Sequence, residues 1–243
     1  MSAFIRNSPF LHLLCFSLLL RLAVGADPLY HICLSSGTYT ANTPYEMNLN
    51  KVKSSLSYKT PFSGFAMVSA GSIPDRVYGL AQCRGDATSQ DCKTCVANAS
   101  DEIKNLCPYN KGGIIWYDNC LLKYLDGDFF HQIDTENIVY LYNVKNITDP
   151  ILFNKKTKEL LNQLSQQASA TWKLFAAGET KFEGSTKIYG MAQCTRDLSN
   201  ADCKTCLENA ISQLPSCCDG KQGGRVVGGS CTVRFEIYPF ISY

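Results

Sequence analysis

Two pairs of cysteines have a spacing that could do chemistry. Cys92 and Cys95, and again Cys203 and Cys206, are separated by two residues. A pair with this spacing can act as a redox dithiol when a thiolate has a lowered pKa and an exposed sulfur. Four such cysteines could also bind zinc, but an oxidising compartment converts thiolates into disulfides. We therefore predict no metal site, and the choice between a redox and a structural role depends on how the cysteines pair.

Other side chains that could catalyse a reaction are scarce. Beyond the N-terminal segment the histidines are His31 and His131, and no spacing indicates a Ser-His-Asp or Cys-His arrangement. Glu46, Glu136 and Glu159 are best explained as ordinary surface carboxylates. We predict that the chain has no catalytic residue and no cofactor, and that it is not an enzyme.

The Cys-x2-Cys pairs belong to a repeated framework. Residues 83–95 read Cys-x8-Cys-x2-Cys, and residues 194–206 repeat that spacing at a constant offset of 111 residues. The five residues before each framework also match, Tyr-Gly-Leu-Ala-Gln in the first copy and Tyr-Gly-Met-Ala-Gln in the second. The same offset relates two further pairs, Cys107 with Cys218 and Cys120 with Cys231. Five cysteines in register indicate the duplication of a unit of about 105 residues, an ordinary size for a domain.

Residues 1–26 have the pattern of a secretory signal peptide. Arg6 precedes an apolar run over residues 10–20, and the small residues 24–26 suit cleavage after Ala26. A membrane anchor is the alternative, but the apolar run is short and Arg21 follows it. No later apolar run could span a bilayer. We therefore expect a secreted, extracellular protein without membrane insertion.

The composition of the remaining chain limits the classes of partner. Without Arg6 and Arg21, 21 basic residues balance 21 acidic residues, so the sequence gives no electrostatic reason to expect nucleic acid as a partner. Of the 13 cysteines, Cys15 lies in the signal segment and the other twelve divide six to each repeat. Such a content in an exported chain predicts disulfides. Asn98 and Asn146 begin sequons and are predicted glycosylation sites.

The helices and strands expected from the sequence indicate an α+β fold in two tandem domains, residues 27–131 and 137–243. The first repeat should contain an amphipathic helix near residues 47–56, a strand over 76–83, and a second helix from Ser89 or Asp91 to about Leu106. A single strand is expected from residue 114 to residue 125.

The second repeat should begin with a strand over residues 138–144. A longer helix should follow, capped by Asp149 and extending to about Phe175, with Trp172 on its buried side. Each repeat is therefore predicted to pack two helices on a mostly antiparallel sheet. A unit this small buries a modest core, so disulfides should contribute much of its stability.

The doubled Cys-x8-Cys-x2-Cys motif resembles that of the plant cysteine-rich repeat secretory family, which is built from ginkbilobin-like domains. The resemblance covers nearly all of the chain after the signal segment. It implies a first and a second ginkbilobin-like cysteine-rich repeat domain, as in the ectodomains of cysteine-rich receptor-like kinases and plasmodesma-located proteins. It also implies five disulfides: Cys33–Cys107, Cys83–Cys92, Cys95–Cys120, Cys194–Cys203 and Cys206–Cys231. With these pairs neither Cys-x2-Cys motif bonds internally, which favours a structural role for both.

The second repeat departs from the family pattern. Tyr142 stands at the place of Cys33, so Cys218 loses the expected partner, and Cys217 is an additional cysteine beside it. The two could form a vicinal bridge, remain free, or link to another chain. We expect a Cys217–Cys218 bridge, because an exposed free thiol is a liability outside the cell.

The resemblance also implies a sugar site. A ginkbilobin-like lectin of the family binds mannose through an Asn, an Arg and a Glu, and the matching positions here are Asn143, Arg225 and Glu236. These groups together supply hydrogen-bond donors and acceptors for sugar hydroxyls, and the charged groups make the stronger bonds. The alternative is a structural one, in which Arg225 and Glu236 form a cross-strand ion pair and Asn143 caps a turn.

The first repeat has apolar residues at the three matching positions, namely Leu34, Ile114 and Leu125. They could form a patch that packs against the other repeat or a partner protein, or they could be ordinary core residues. Trp116 is expected in the core.

These observations predict a binding protein with a carbohydrate partner or a cell-surface protein partner. The first hypothesis is lectin-like, mannose-type carbohydrate binding in the apoplast, with the role in plant defence or stress that the family implies. The second is a protein-interaction module that pairs with related receptor ectodomains. A minor third is thiol redox sensing through Cys217 and Cys218.

Overall fold

The computed structural model describes residues 27–241. The predicted signal peptide, including Cys15, lies outside the described residues. The described chain contains four α-helices and two antiparallel five-stranded sheets, each sheet with two helices packed against it. The prediction of two tandem α+β units is therefore confirmed.

The first repeat places its helices between strands of one sheet. Its elements are β1 (Tyr30–Thr38), α1 (Pro44–Ser63), β2 (Phe65–Ala70), β3 (Val77–Cys83), α2 (Ser89–Leu106), β4 (Asn110–Trp116) and β5 (Cys120–Leu125). The strands lie in the order β1-β4-β5-β3-β2, and every neighbouring pair is antiparallel.

The second repeat has the same topology. Its elements are β6 (Ile138–Tyr142), α3 (Pro150–Ser169), β7 (Phe175–Lys181), β8 (Lys187–Cys194), α4 (Asn200–Cys218), β9 (Gly223–Gly228) and β10 (Cys231–Glu236). The strand order is β6-β9-β10-β8-β7, which matches the first sheet strand for strand. The duplication read from the cysteines is thus visible in the whole fold.

Three expectations about single elements were wrong. The predicted strand over residues 114–125 is a hairpin, because the chain reverses at residues 117–119 between β4 and β5. Helix α1 is twice the expected length and begins with Pro44 at its first turn. Helix α3 ends at Ser169, so Trp172 lies beyond it in the turn before β7 and is 69% exposed.

Each repeat buries its own apolar core between its helices and one face of its sheet. In the first core Val52 and Leu56 of α1 meet Val96 and Ile103 of α2. In the second, Phe153 lies against the rings of Phe182 and Phe235. The apolar spacing along the helices produces these stripes, because residues three and four apart share a helix face.

Six disulfides are present in the described residues. They are Cys33–Cys107, Cys83–Cys92, Cys95–Cys120, Cys194–Cys203, Cys206–Cys231 and the vicinal pair Cys217–Cys218. In each repeat two of these bridges tie the second helix to the sheet, one to the end of β3 or β8 and one to the start of β5 or β10. In both cases the Cys-x2-Cys cysteines bond to sheet cysteines and not to one another.

A reciprocal exchange of hydrogen bonds joins the two repeats. The side-chain amide of Gln82 donates to the carbonyl of Cys194 (2.6 Å) and accepts from the backbone N–H of Arg196 (2.8 Å). Its counterpart Gln193 donates to the carbonyl of Cys83 (2.9 Å) and accepts from the N–H of Gly85 (3.3 Å). All four partners are backbone groups, so this buried polar contact fixes the position of one strand end against the other.

An apolar layer lies beside these bonds. Trp116 and Ile114 of β4 pack with Val227 of β9, and the Trp116 indole N–H donates to the carbonyl of Gly228 (3.0 Å). Leu34 is among the partly buried residues of the same cluster, whereas Leu125 is not. Leu34 and Ile114 therefore pack against the other repeat, as one of the two hypotheses proposed. Trp116, which was expected in the core of the first repeat, is buried at the junction.

Candidate functional site

Asn143, Arg225 and Glu236 line one pocket of about 200 Å³ at the edge of the second sheet. Asn143 follows the last residue of β6, Arg225 lies within β9, and Glu236 ends β10. Because β9 is hydrogen-bonded between β6 and β10, residues far apart in sequence meet at this corner. Leu29 of the first repeat and Tyr238 complete the wall, so the pocket lies where the repeats meet.

The charged groups of the pocket already have partners. The Arg225 guanidinium contacts the carboxylate of Asp118, which belongs to the first repeat. Arg234 lies opposite Arg225 on the neighbouring strand and donates to Glu236 Oε1 (3.2 Å). The predicted cross-strand pair of Arg225 with Glu236 is therefore absent, and each residue pairs with a neighbour that the prediction did not include.

Asn143 fits the structural alternative in part. Its Oδ1 accepts from the backbone N–H of Lys145 (3.0 Å), which is a local turn contact. The side-chain Nδ2 has no hydrogen bond to the described residues and remains available as a donor. The backbone N–H of Asn143 donates to the carbonyl of Gly223, so the end of β6 is held in register with β9.

Glycine at position 223 makes room for the acid. A Cβ added to Gly223 would lie 1.8 Å from Glu236 Oε2, so any larger residue would displace the carboxylate. Glu236 itself is only 5% exposed. What it offers to a ligand is one buried oxygen at the pocket wall, since its other oxygen binds Arg234.

The ion pairs set the charge state of this corner. Burial raises the pKa of Asp118, but Arg225, Arg234 and Arg84 outweigh that effect and hold the pKa below its usual value. Burial also lowers the pKa of Arg234, whose guanidinium lies 3.9 Å from the ring centre of Phe240. At neutral pH Asp118 is therefore a carboxylate beside the guanidinium groups of Arg225 and Arg234.

Sequence reasoning missed Arg234 and Asp118. A signal for Arg234 existed, because residues two apart on a strand share a face and Arg234 is two residues before Glu236. No sequence signal could have found Asp118, since its contact depends on how the repeats pack. Of the matching positions in the first repeat, Ile114 is buried in the apolar layer of the junction and Leu34 packs against it.

The remaining predicted sites differ in exposure. Asn146 is exposed and its Oδ1 accepts from Lys221 Nζ (2.9 Å), whereas Asn98 is half-buried on α2. Cys217 and Cys218 are bonded to each other at the end of α4, where Cys218 is buried. Among residues 27–241 no group of three or more His, Cys, Asp or Glu side chains could hold a metal ion. None of the helices in this part of the chain is long and apolar enough to cross a membrane.

Comparison with known families gives two consecutive matches. The sequence profile described as "Salt stress response/antifungal" (Stress-antifung) matches residues 32–126 and 142–238. Each match falls within one of the two repeats, and together they take in both cysteine frameworks.

The chain is also similar to curated plant proteins and to solved structures. It is 55% identical over 228 residues to "Antimicrobial ginkbilobin-2-like protein" of Castanea crenata, covering 94% of this chain and 95% of the relative. It is 54% identical to "Cysteine-rich repeat secretory protein 38" of Arabidopsis thaliana, covering 88% and 85%. The crystal structure of the tandem DUF26 ectodomain of the Arabidopsis receptor-like protein PDLP8 superposes with a TM-score of 0.77 at 28% identity, covering 88% of this chain and 100% of that one.

Proposed function

Because this chain belongs to the salt stress response/antifungal (Stress-antifung) family and is a tandem cysteine-rich ectodomain protein, we propose that it is a lectin-like protein that binds a mannose-type sugar through its second repeat. Its relatives are named secretory proteins, in agreement with the expected secreted, extracellular location. The relatives and neighbours reported above are named as antimicrobial, secretory or receptor-like proteins, and none is named as an enzyme.

One observation carries this proposal: Asn143, Arg225 and Glu236 line the same pocket although they come from three different strands or strand ends. Asn143 Nδ2 and the remaining N–H groups of Arg225 can donate, and Glu236 Oε2 can accept. A sugar hydroxyl both donates and accepts, so this set suits adjacent hydroxyls. A sugar would compete with Asp118 for Arg225, whose side chain is 15% exposed in this ion pair.

Calorimetric titration with methyl α-mannoside tests the proposal. We expect binding by the native protein and a loss of roughly tenfold or more in affinity for Arg225→Ala, because hydrogen bonds to a charged group are worth about 1.5–3 kcal/mol. Asp118→Asn is the matched control, since it releases Arg225 from its ion pair without removing a pocket donor. It should bind at least as well as the native protein.

The proposal fails if the native protein and Arg225→Ala are equally indifferent to the sugar. A role in plant defence, suggested by the antimicrobial relative, would then need a different ligand. Growth inhibition of a fungus by the native protein but not by Arg225→Ala would link the pocket to such a role.

A second candidate function is protein recognition. Its support is the likeness to a receptor-like tandem ectodomain over nearly the whole chain. Co-purification with related receptor ectodomains, unaffected by mannose and by Arg225→Ala, would favour it over sugar binding. Thiol redox sensing, the third hypothesis, requires the Cys217–Cys218 bridge to open, and counting free thiols before and after mild reduction tests it.

A further inference from the structure

A second groove lies between the repeats, away from the candidate sugar pocket. Its volume is about 360 Å³, within the usual range of roughly 300–1,000 Å³ for small-molecule sites. One wall is the C-terminal end of α1 with Phe62, a second is the turn after β3, and the third is the turn before β7 with Trp172 and Lys173. The sequence predicted only a buried helical position for Trp172, and Phe62, Trp172 and Lys173 do not line the pocket described above.

Two large aromatic side chains stand exposed at this groove. Phe62 is 76% exposed and Trp172 is 69% exposed, although a soluble protein normally buries such rings. Tyr58 extends the aromatic surface along α1, with its ring 5.5 Å from that of Phe62. Exposed rings grouped at a concave surface indicate a binding site more than isolated apolar residues do.

The charges of the groove have one sign. Arg84, Lys173 and Arg196 line it, and no acidic residue does. Arg84 is neutralised by Asp86 (2.6 Å). Arg196 and Lys173 form no ion pair with the described residues, so two positive charges remain without a counterion, although basic and acidic residues balance over residues 27–243.

Arg196 is held in place by neighbours that leave its charge uncompensated. Its guanidinium carbon lies 4.6 Å from the ring centre of Trp172 and 5.5 Å from that of Phe65, and Nη1 donates to the carbonyl of Ser63 (2.5 Å). Burial lowers the pKa of this group. An anion would therefore be attracted more strongly by Arg196 than by a fully hydrated cation.

We propose that this groove binds an acidic oligosaccharide, a chain of uronic acid sugars. The apolar faces of the sugar rings would lie on Trp172 and Phe62, and the carboxylates would pair with Arg196 and Lys173. An acidic peptide is less well matched, because an extended peptide gains affinity from an open strand edge and the walls here are a helix end and turns. The site is separate from the mannose-type pocket and does not depend on it.

The two tryptophans make the site directly measurable. Trp116 is 2% exposed at the junction, so a change in accessible tryptophan fluorescence on ligand addition reports on Trp172. We expect hexagalacturonate to protect Trp172 from quenching by acrylamide, with an affinity that falls as salt is added. A neutral glucose hexamer should have no such effect.

Variants identify the residues by calorimetry. Trp172→Ala and Lys173→Glu should each weaken hexagalacturonate binding by roughly tenfold, the loss of one ring contact or one charged pair. Lys158→Glu changes the same charge at an exposed position on α3 and should bind as the native protein does. Arg225→Ala should also leave this binding intact, which separates the groove from the mannose-type pocket.

Three results would overturn the proposal. The first is the absence of protection of Trp172 by hexagalacturonate. The second is equal affinity of the native protein, Trp172→Ala and Lys173→Glu. The third is equal binding of hexaglutamate, which would show that the groove recognises charge alone and would remove the assignment to a sugar.

Discussion

At the scale of single residues, the junction depends on a few charged side chains with defined partners. Lys123 and Asp134 form a buried ion pair at 2.7 Å. Asp134 also accepts from Asn137 and fits over Gly229, where an added Cβ would lie 2.2 Å from its Oδ2. Burial raises the pKa of Asp134, but Lys123 and Asn137 outweigh it and hold the pKa below its usual value.

Asp134→Asn should therefore destabilise the protein at neutral pH. Removing one partner leaves Lys123 buried without a counterion, which costs about 3–5 kcal/mol of unfolding free energy. A depressed folded-state pKa contributes stability above the unfolded pKa of about 3.9, and this stability is lost as pH falls through the folded value. Urea unfolding at pH 7 and at low pH should show a difference between native and variant that shrinks in acid.

The exposed pair of Lys204 with Glu208 on α4, at 3.9 Å, provides the control. Glu208→Gln should change the unfolding free energy by about 0.5 kcal/mol or less. A cost for Asp134→Asn no larger than that would show that the buried pair contributes little.

At the scale of elements, the sequence was most informative where a chemical signal marks a boundary. Asp149 was predicted to cap α3 and does accept from the N–H of Leu152 (3.1 Å). The end of the same helix was misplaced, because the apolar spacing continues to Trp172 while the chain turns at Ala170. The β4–β5 turn was missed because the apolar residues on both sides suggested one continuous strand, although Asp118 and Asn119 are residues that favour turns.

Two matched caps give a prediction for the helices. Thr88 accepts from Asp91 N–H at the start of α2, and Ser199 accepts from Asp202 N–H at the start of α4, both at 3.1 Å. Thr88→Ala and Ser199→Ala should each lower the unfolding free energy by about 1 kcal/mol. Urea unfolding measures it, and Ser212→Ala inside α4 should be neutral or slightly stabilising, since alanine is the better helix former. Equal effects of Ser199→Ala and Ser212→Ala would contradict a capping role.

At the scale of the whole molecule, the sequence predicted the two repeats but not the contacts of the junction between them. The positions of Asn143, Arg225 and Glu236 came from a family pattern, and the pocket around them includes Leu29 from the other repeat. Such contacts depend on how two folded units pack, and periodicity within one unit does not encode that. For the same reason the groove between Phe62 and Trp172 had no sequence signal.

The shared junction predicts that the two repeats unfold together. Calorimetry of the native protein with intact disulfides should give a single transition. Trp116→Ala removes a buried ring and its bond to Gly228, at a cost of about 3–5 kcal/mol, and should lower the melting temperature and separate the transition into two. Trp172→Ala, which removes an exposed ring, should melt as the native protein does. Two transitions in the native protein would contradict the prediction.

The bonds exchanged by Gln82 and Gln193 have a consequence for ancestry. Each glutamine donates one hydrogen bond to the other repeat and accepts one from it. The contact is therefore isologous, the kind of contact that joins two identical chains in a C2 dimer. A lone ancestral repeat with this glutamine would already have been complementary to itself. Fusion of two such genes would have turned a concentration-dependent partnership into a permanent one and freed the two copies to diverge, one keeping polar groups where the other has apolar ones.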